Sequence, residues 1–185
     1  MTIPECPPAD GSAPQRRSFE AEPPMCIDPN KRYTATMTTS KGTMVIALDP
    51  LAAPRTVNNF VFLARYHYFD GIVFHRIIPD FVLQGGDPEG TGRGGPGYRF
   101  ADELPAPGRY QVGSLAMANA GPDTNGSQFF IISGSEGVRL PPQYSLFGAV
   151  VSGNEVIAVI DALGTPSGKP KEDVVIQSVT IAEAD

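Results

Sequence analysis

The chain of 185 residues sets 14 Lys and Arg against 20 Asp and Glu, a formal net charge of −6 with no basic block, so it lacks the cations that would neutralise nucleic-acid phosphates. No run reaches the ~20 apolar residues of a membrane-spanning helix. With only two histidines and two cysteines, it does not offer the ligand set of a catalytic transition-metal centre, and no metal is expected.

Residues 1–32, rich in Pro, Ser, Glu and Ala, read as an irregular arm ahead of one globular domain over 33–185. The opening MTIPECPPADGSAPQRRSFEAEPPMC lacks the apolar centre of a secretion signal, which favours a cytoplasmic chain. Cys6 and Cys26 leave two readings open. Paired, they would clamp the arm and imply an oxidising, extracytoplasmic compartment; unpaired, they are free thiols in a loose segment.

Tyr33–Thr39 and Thr43–Leu48 are rich in β-branched residues and flank Ser40-Lys41-Gly42, which predicts a hairpin. Val57, Phe60, Val61 and Ala64 then recur at i, i+3, i+4 and i+7. Pro54 stands near the start of this helix, where its missing N–H costs nothing. Strand-like runs follow at Ile72–Ile78, Phe81–Gly85, Val112–Ala118, Gln128–Ile132, Ser145–Val151 and Val174–Ile181. A second helix is predicted from about Gly153 to Leu163, with Ser152 and Glu155 spaced as a capping box. Each helix has a single apolar stripe and should lie on a sheet. The expectation is an all-β fold, a closed eight-stranded antiparallel β-barrel capped by two α-helices.

Several motifs dissolve in context. Gly90-Thr91-Gly92-Arg93-Gly94-Gly95 has the spacing of a dinucleotide fingerprint, but Pro96, Pro105 and Pro107 follow and no helix can open there to meet a pyrophosphate. Asn125-Gly126-Ser127 reads as a turn. His75 and Arg76 are adjacent in a strand and should face opposite sides, which makes His75 a structural histidine. No Ser or Cys stands beside a base, so hydrolase chemistry has little support.

What remains is polar but not acid–base. FHRIIPDFVLQGGD carries Arg76 and Gln84 inside apolar strands, and SLAMANAGPDTNGSQFFI sets an Asn- and Gly-rich loop between two others. The loop reads equally well as a tight turn with positive φ. Arg, Gln, Asn and aromatics without a nucleophile would suit a peptide groove.

Together these two stretches resemble the cyclophilin family of peptidyl-prolyl cis–trans isomerases, and Tyr144-Ser145-Leu146-Phe147-Gly148 is similar to that family's third signature. The resemblance spans about residues 33–183. It implies an eight-stranded barrel capped by two helices, and an isomerase that turns over X–Pro bonds in peptides and unfolded proteins without a cofactor. It makes Arg76 the catalytic donor to the prolyl nitrogen. Phe81, Val82, Phe130 and Leu140 match the proline pocket, Gln84 and Gln128 the polar positions, and Ala118 and Asn119 the segment that pairs with substrate main chain. The alternative function is a proline-binding module or holdase without essential turnover. Nothing calls for more than a monomer.

Three departures stand out. Val82 replaces the Met of many members, and Tyr144 falls where well-known members carry His, keeping an aromatic wall with a polar tip. The chain has no tryptophan, and Gly137–Gln143 replaces a segment where many members place a Trp against cyclosporin. Weak cyclosporin binding with isomerase activity retained is the consequence.

Overall fold

The burial alternation of β1 (Arg32–Thr39) and β2 (Gly42–Leu48) follows from side chains projecting to opposite faces of a strand. The computed structural model describes residues 1–185, with eight strands and three helices. β3 (Arg76–Ile78), β4 (Val82–Gly85), β5 (Ser114–Met117), β6 (Phe129–Ile132), β7 (Leu146–Ser152) and β8 (Ile176–Ala184) complete the set. All belong to one antiparallel sheet of order β3-β4-β6-β5-β7-β2-β1-β8.

The sheet curls but is open, which corrects the closed barrel expected from the sequence. β3 and β8 are its two ends and do not pair as a ladder. Residues 71–74 leave the strand direction early and meet the start of β8 instead. Gly71 N–H donates to Ile176 O (2.7 Å), Ile176 N–H to Ile72 O (2.8 Å) and Phe74 N–H to Val174 O (2.9 Å), around one isolated Val73–Val175 bridge. That is why β3 spans three residues and not the whole Ile72–Ile78 run.

There are also three helices where two were expected. α1 (Pro54–Arg65) begins on proline, α2 (Ser135–Val138) is a single short turn without apolar period, and α3 is Asn154–Asp161. The expected capping box does not form. Gly153 is the N-cap of α3 in a left-handed conformation (φ +88°), with no side-chain cap. α1 is capped from far away in sequence: the Glu103 carboxylate accepts from Thr56 N–H and Thr56 Oγ1, both at 2.7 Å, where anionic groups are favoured.

α1 is buried all round from Thr56 to Arg65, not along one stripe. Its sheet-facing side carries Val57, Phe60, Val61 and Ala64; the arm covers Asn58 and Phe62, while Thr56, Asn59 and Arg65 meet Glu103, Gly126 and Glu183. Residues 1–31 form no helix or strand, yet Phe19 is buried against Phe62 (4.9 Å between rings) and Tyr66 (5.4 Å). Cys6 and Cys26 are joined by a disulfide, Cα atoms 5.5 Å apart. No helix is long and apolar enough to cross a membrane.

The half of the sheet from β3 to β5 is apolar on both faces. Ile77, Leu83, Ile131 and Leu115 enter the main core of 34 buried residues. On the other face Val82, Ala116, Phe130 and Ile132 join Tyr110 in a second, smaller cluster. Two buried faces explain the near-continuous hydrophobic runs there.

Candidate active site

Strand register alone draws a line of side chains across the second face. Arg76 lies opposite Gln84, Gln84 opposite Phe130, Phe130 opposite Ala116 and Ala116 opposite Leu146. Directly opposed residues share a face and touch. At one end of this row is a pocket of about 170 Å³ lined by Arg76, Phe81, Val82, Gln84, Ala118, Asn119, Phe130, Leu140 and Tyr144. Phe130 and Tyr144 meet edge to face at 5.4 Å and 82°, a favoured aromatic geometry.

Tyr144 is held by a residue the sequence reading missed. Buried Tyr110 donates its hydroxyl to Tyr144 O (2.6 Å) and accepts from Tyr144 N–H (3.1 Å). Burial pushes the Tyr110 phenol up from its ordinary value, so it stays protonated and able to donate. No periodic pattern marks position 110.

Arg76 is exposed at the pocket rim. Its Nη1 donates to Gln84 Oε1 (3.1 Å), Gln84 Nε2 to Gln128 Oε1 (3.2 Å), and Gln128 Nε2 to Gly94 O (3.0 Å). The two ends fix both amide orientations. A guanidinium can only donate and a carbonyl can only accept, so each glutamine must turn its oxygen toward Arg76 and its nitrogen away. Donors aligned this way reinforce one another.

Two further contacts hold the guanidinium. Arg76 Cζ lies 5.8 Å from the Phe81 ring centroid, within cation–π range. The loop after α3 supports its stem: Ile77 N–H donates to Gly168 O (2.9 Å) and Thr165 N–H to Ile77 O (3.1 Å), while a Cβ on Gly168 would lie 2.9 Å from Arg76 Cγ. None of the seven ion pairs involves Arg76. Its charge is therefore not neutralised by a carboxylate.

Gln128 does not line the small pocket. It belongs to an adjoining trough of about 860 Å³, formed by Gly92–Arg99, Ala118–Ala120, Thr124 and Gly126–Gln128 with Gln84 and Glu89. On its floor edge, Asn119 bridges loops through Nδ2 to Gln143 O (3.0 Å) and Oδ1 from Gly121 N–H (3.1 Å). Its own main-chain N–H and C=O have no partner in the protein.

The trough's Gly-rich side is organised by Asp87. Its buried carboxylate accepts from the N–H groups of Glu89 (2.8 Å), Thr91 (2.9 Å) and Gly92 (2.6 Å). Burial alone would raise its pKa, but these backbone donors outweigh it and hold the carboxyl below the ordinary value. His75 precedes β3 and is not a strand residue. It is half-buried, with Nδ1 unpartnered and Nε2 beside Gly92.

No group of three His, Cys, Asp or Glu side chains comes together, and the pocket holds neither nucleophile nor carboxylate. What the lining offers is an apolar wall, amides and one guanidinium, the means to hold a chain by shape and hydrogen bonding. The comparisons carry this class to a family. The family model described as cyclophilin type peptidyl-prolyl cis-trans isomerase matches residues 34–181. A probable peptidyl-prolyl cis-trans isomerase A of Mycobacterium leprae is 45% identical over 169 residues, covering 80% of this chain and 92% of the relative. Peptidyl-prolyl cis-trans isomerase B of Streptomyces anulatus is 46% identical over 168 residues, covering 80% and 95%. The crystal structure of a Cryptosporidium parvum cyclophilin type isomerase superposes with a TM-score of 0.75 at 32% identity, covering 82% of this chain and 98% of that one. The same protein has been crystallised in the presence of the dipeptide Ala-Pro.

The chain belongs to the cyclophilin-type peptidyl-prolyl cis–trans isomerases, enzymes that accelerate rotation about X–Pro peptide bonds.

Proposed function

We propose that the small pocket receives the prolyl ring and that Arg76 is the catalytic donor. Rotation about a peptide bond faces a barrier of ~18–20 kcal/mol because the nitrogen lone pair is delocalised into the carbonyl. For X–Pro the two isomers differ by only ~0.5–1 kcal/mol yet exchange over tens to hundreds of seconds. As the amide twists, the prolyl nitrogen becomes pyramidal and accepts a hydrogen bond it could not accept when planar. A donor aimed at that nitrogen strengthens only in the transition state, which is the condition for raising kcat.

The observation that carries this reading is the setting of Arg76: an unneutralised guanidinium at the rim of an apolar pocket, steadied by Gln84, Phe81 and the Gly168 loop. Phe81, Val82, Phe130, Leu140 and Tyr144 supply apolar walls of the size of a proline ring. The free main-chain groups of Asn119 are ready to pair with a peptide backbone, and the trough accepts chain flanking the proline. The substrates are proline-containing peptides and unfolded proteins, whose slow folding phases such catalysis shortens.

The test is the cis-to-trans rate of a short X–Pro peptide with wild type and Arg76→Ala. Loss of one transition-state donor is expected to cost on the order of 10²–10³ in kcat/KM, with peptide affinity nearly unchanged. Equal rates for the two proteins would overturn the donor role. Rate lost together with all binding would make Arg76 an affinity residue in a proline-reading module.

Two finer points follow from the same residues. With no tryptophan available, cyclosporin is expected to bind weakly, and a titration giving nanomolar affinity would refute that. The closed Cys6–Cys26 pair supports work in an oxidising compartment, where such bonds persist.

A further inference from the structure

We propose that the N-terminal arm is a strap that sets the outer wall of the trough, with Phe19 as its positioning residue and the Cys6–Cys26 disulfide as its clasp. The inference rests on reading the trough as part of the peptide site. The arm lies outside residues 34–181 matched by the family model, so the family fold does not itself explain it.

The arm is anchored at both ends of α1. Near the C-terminal end, Arg16 N–H donates to Tyr66 O (3.0 Å), Gln15 Nε2 to His67 O (2.9 Å) and Arg17 Nε to Tyr68 O (3.1 Å). These donors satisfy carbonyls where the helix gives out. Near the N-terminal end, Glu22 grips Arg55 through both carboxylate oxygens at 2.5 Å, and Cys26 N–H donates to Asn58 Oδ1 (2.7 Å). Between these anchors Phe19 is 3% exposed.

From there the arm reaches the trough. Phe19 N–H donates to Pro96 O (2.9 Å), the single main-chain to main-chain hydrogen bond made by residues 91–99. The Phe19 carbonyl lies against Gly97, whose φ of +103° and lack of Cβ permit the approach; a Cβ there would run into that carbonyl. The Phe19 ring stands 6.4 Å from the Tyr98 ring. Pro96, Gly97 and Tyr98 thus face the arm on one side and line the trough on the other. Side chains of Asp87, Gln128 and Asn59 hold Thr91–Gly92, Gly94 and Tyr98, whereas the main chain of Pro96 and Gly97 has only the arm to lean on.

The disulfide restricts this strap. It closes the segment 6–26, which contains Phe19, so an unseated Phe19 has fewer places to go. Opening the clasp should loosen the wall without touching Arg76.

The experiment compares two substrates on the full chain: a tetrapeptide centred on X–Pro, confined to the small pocket, and a longer peptide with flanking residues that fill the trough. Phe19→Ala is expected to raise KM for the longer peptide roughly tenfold, about 1.4 kcal/mol, while kcat for both and KM for the tetrapeptide stay unchanged. Phe19→Leu should restore most of the affinity. Gly97→Ala, which pushes the wall off an intact arm, should reproduce the KM effect, and the Cys6→Ser/Cys26→Ser pair should show it more weakly. If Phe19→Ala and Gly97→Ala change both substrates alike, or neither, the strap adds only stability and the proposal fails. If wild type isomerises neither peptide, the fault lies with the reading of the site.

Discussion

The pocket and the trough share Gln84, Ala118 and Asn119, yet they are made in opposite ways. The pocket is about 170 Å³, and Arg76, Gln84 and Phe130 line it in ladder register on β3, β4 and β6. The trough is about 860 Å³ and is walled by loops whose glycines and prolines expose main chain. A twisted amide must be met by a donor held to a fraction of an ångström, and paired strands hold side chains that well. Flanking sequence varies from client to client, and loops can differ without disturbing the chemistry. On the proposed reading of the site, the difference divides turnover from selection.

That division can be broken from the strand side first. Arg76→Ala should be the largest single effect in the molecule. Next comes Gly168→Ala, which touches no substrate. Its Cβ would fall 2.9 Å from Arg76 Cγ at a φ of +89°, where an L side chain is strained in any case. The guanidinium would be displaced from Gln84 and Phe81, and kcat is expected to fall about tenfold, equivalent to about 1.4 kcal/mol, with KM for the longer peptide little changed. If kcat held while KM rose, Arg76 would tolerate displacement and its rigid setting would not matter. The strap variants are the mirror experiment, acting on KM from the loop side.

How much of this could be read beforehand follows the same line. Arg76 and Gln84 stand in apolar runs, where a polar side chain is conspicuous, whereas Val82, Phe130 and Tyr144 were legible only through the family resemblance. The third helix was illegible because Ser135–Val138 has no apolar stripe. The open edge was illegible because Val73 and Val175 are ordinary strand residues whose partial pairing depends on backbone direction. Apolar periodicity also made α1 look half-exposed. The signals that it was not, Phe62 on the wrong face together with Asn58 and Asn59, have meaning only once their neighbours are in place: Asn58 Nδ2 donates to Pro24 O of the arm (2.9 Å) and Asn59 Nδ2 to Gly126 O of the loop before β6 (2.8 Å). Gly168, distant in sequence from Arg76, left no local trace.

The smallest expected effect sits at the seam between the two regions. His75 is adjacent to Arg76 and packs under Gly92 of the trough wall. Burial lowers its pKa below 6.5, and the neighbouring Arg76 charge adds to this while Asp87 opposes it. The unfolded chain therefore takes up the proton at a higher pH than the folded one. Stability is undiminished above about 6.5 and declines as pH falls from there through the folded value. Asp87 does not confuse the measurement, since its carboxyl is held below 3.8 and its contribution is lost only as pH falls through that lower range. Urea midpoints at pH 7.5 and 5.5 should show wild type losing more stability on acidification than His75→Gln, which has no proton to take up. Parallel losses in the two proteins would mean that His75 admits a proton at no cost, and that the seam between strand and loop is open to water.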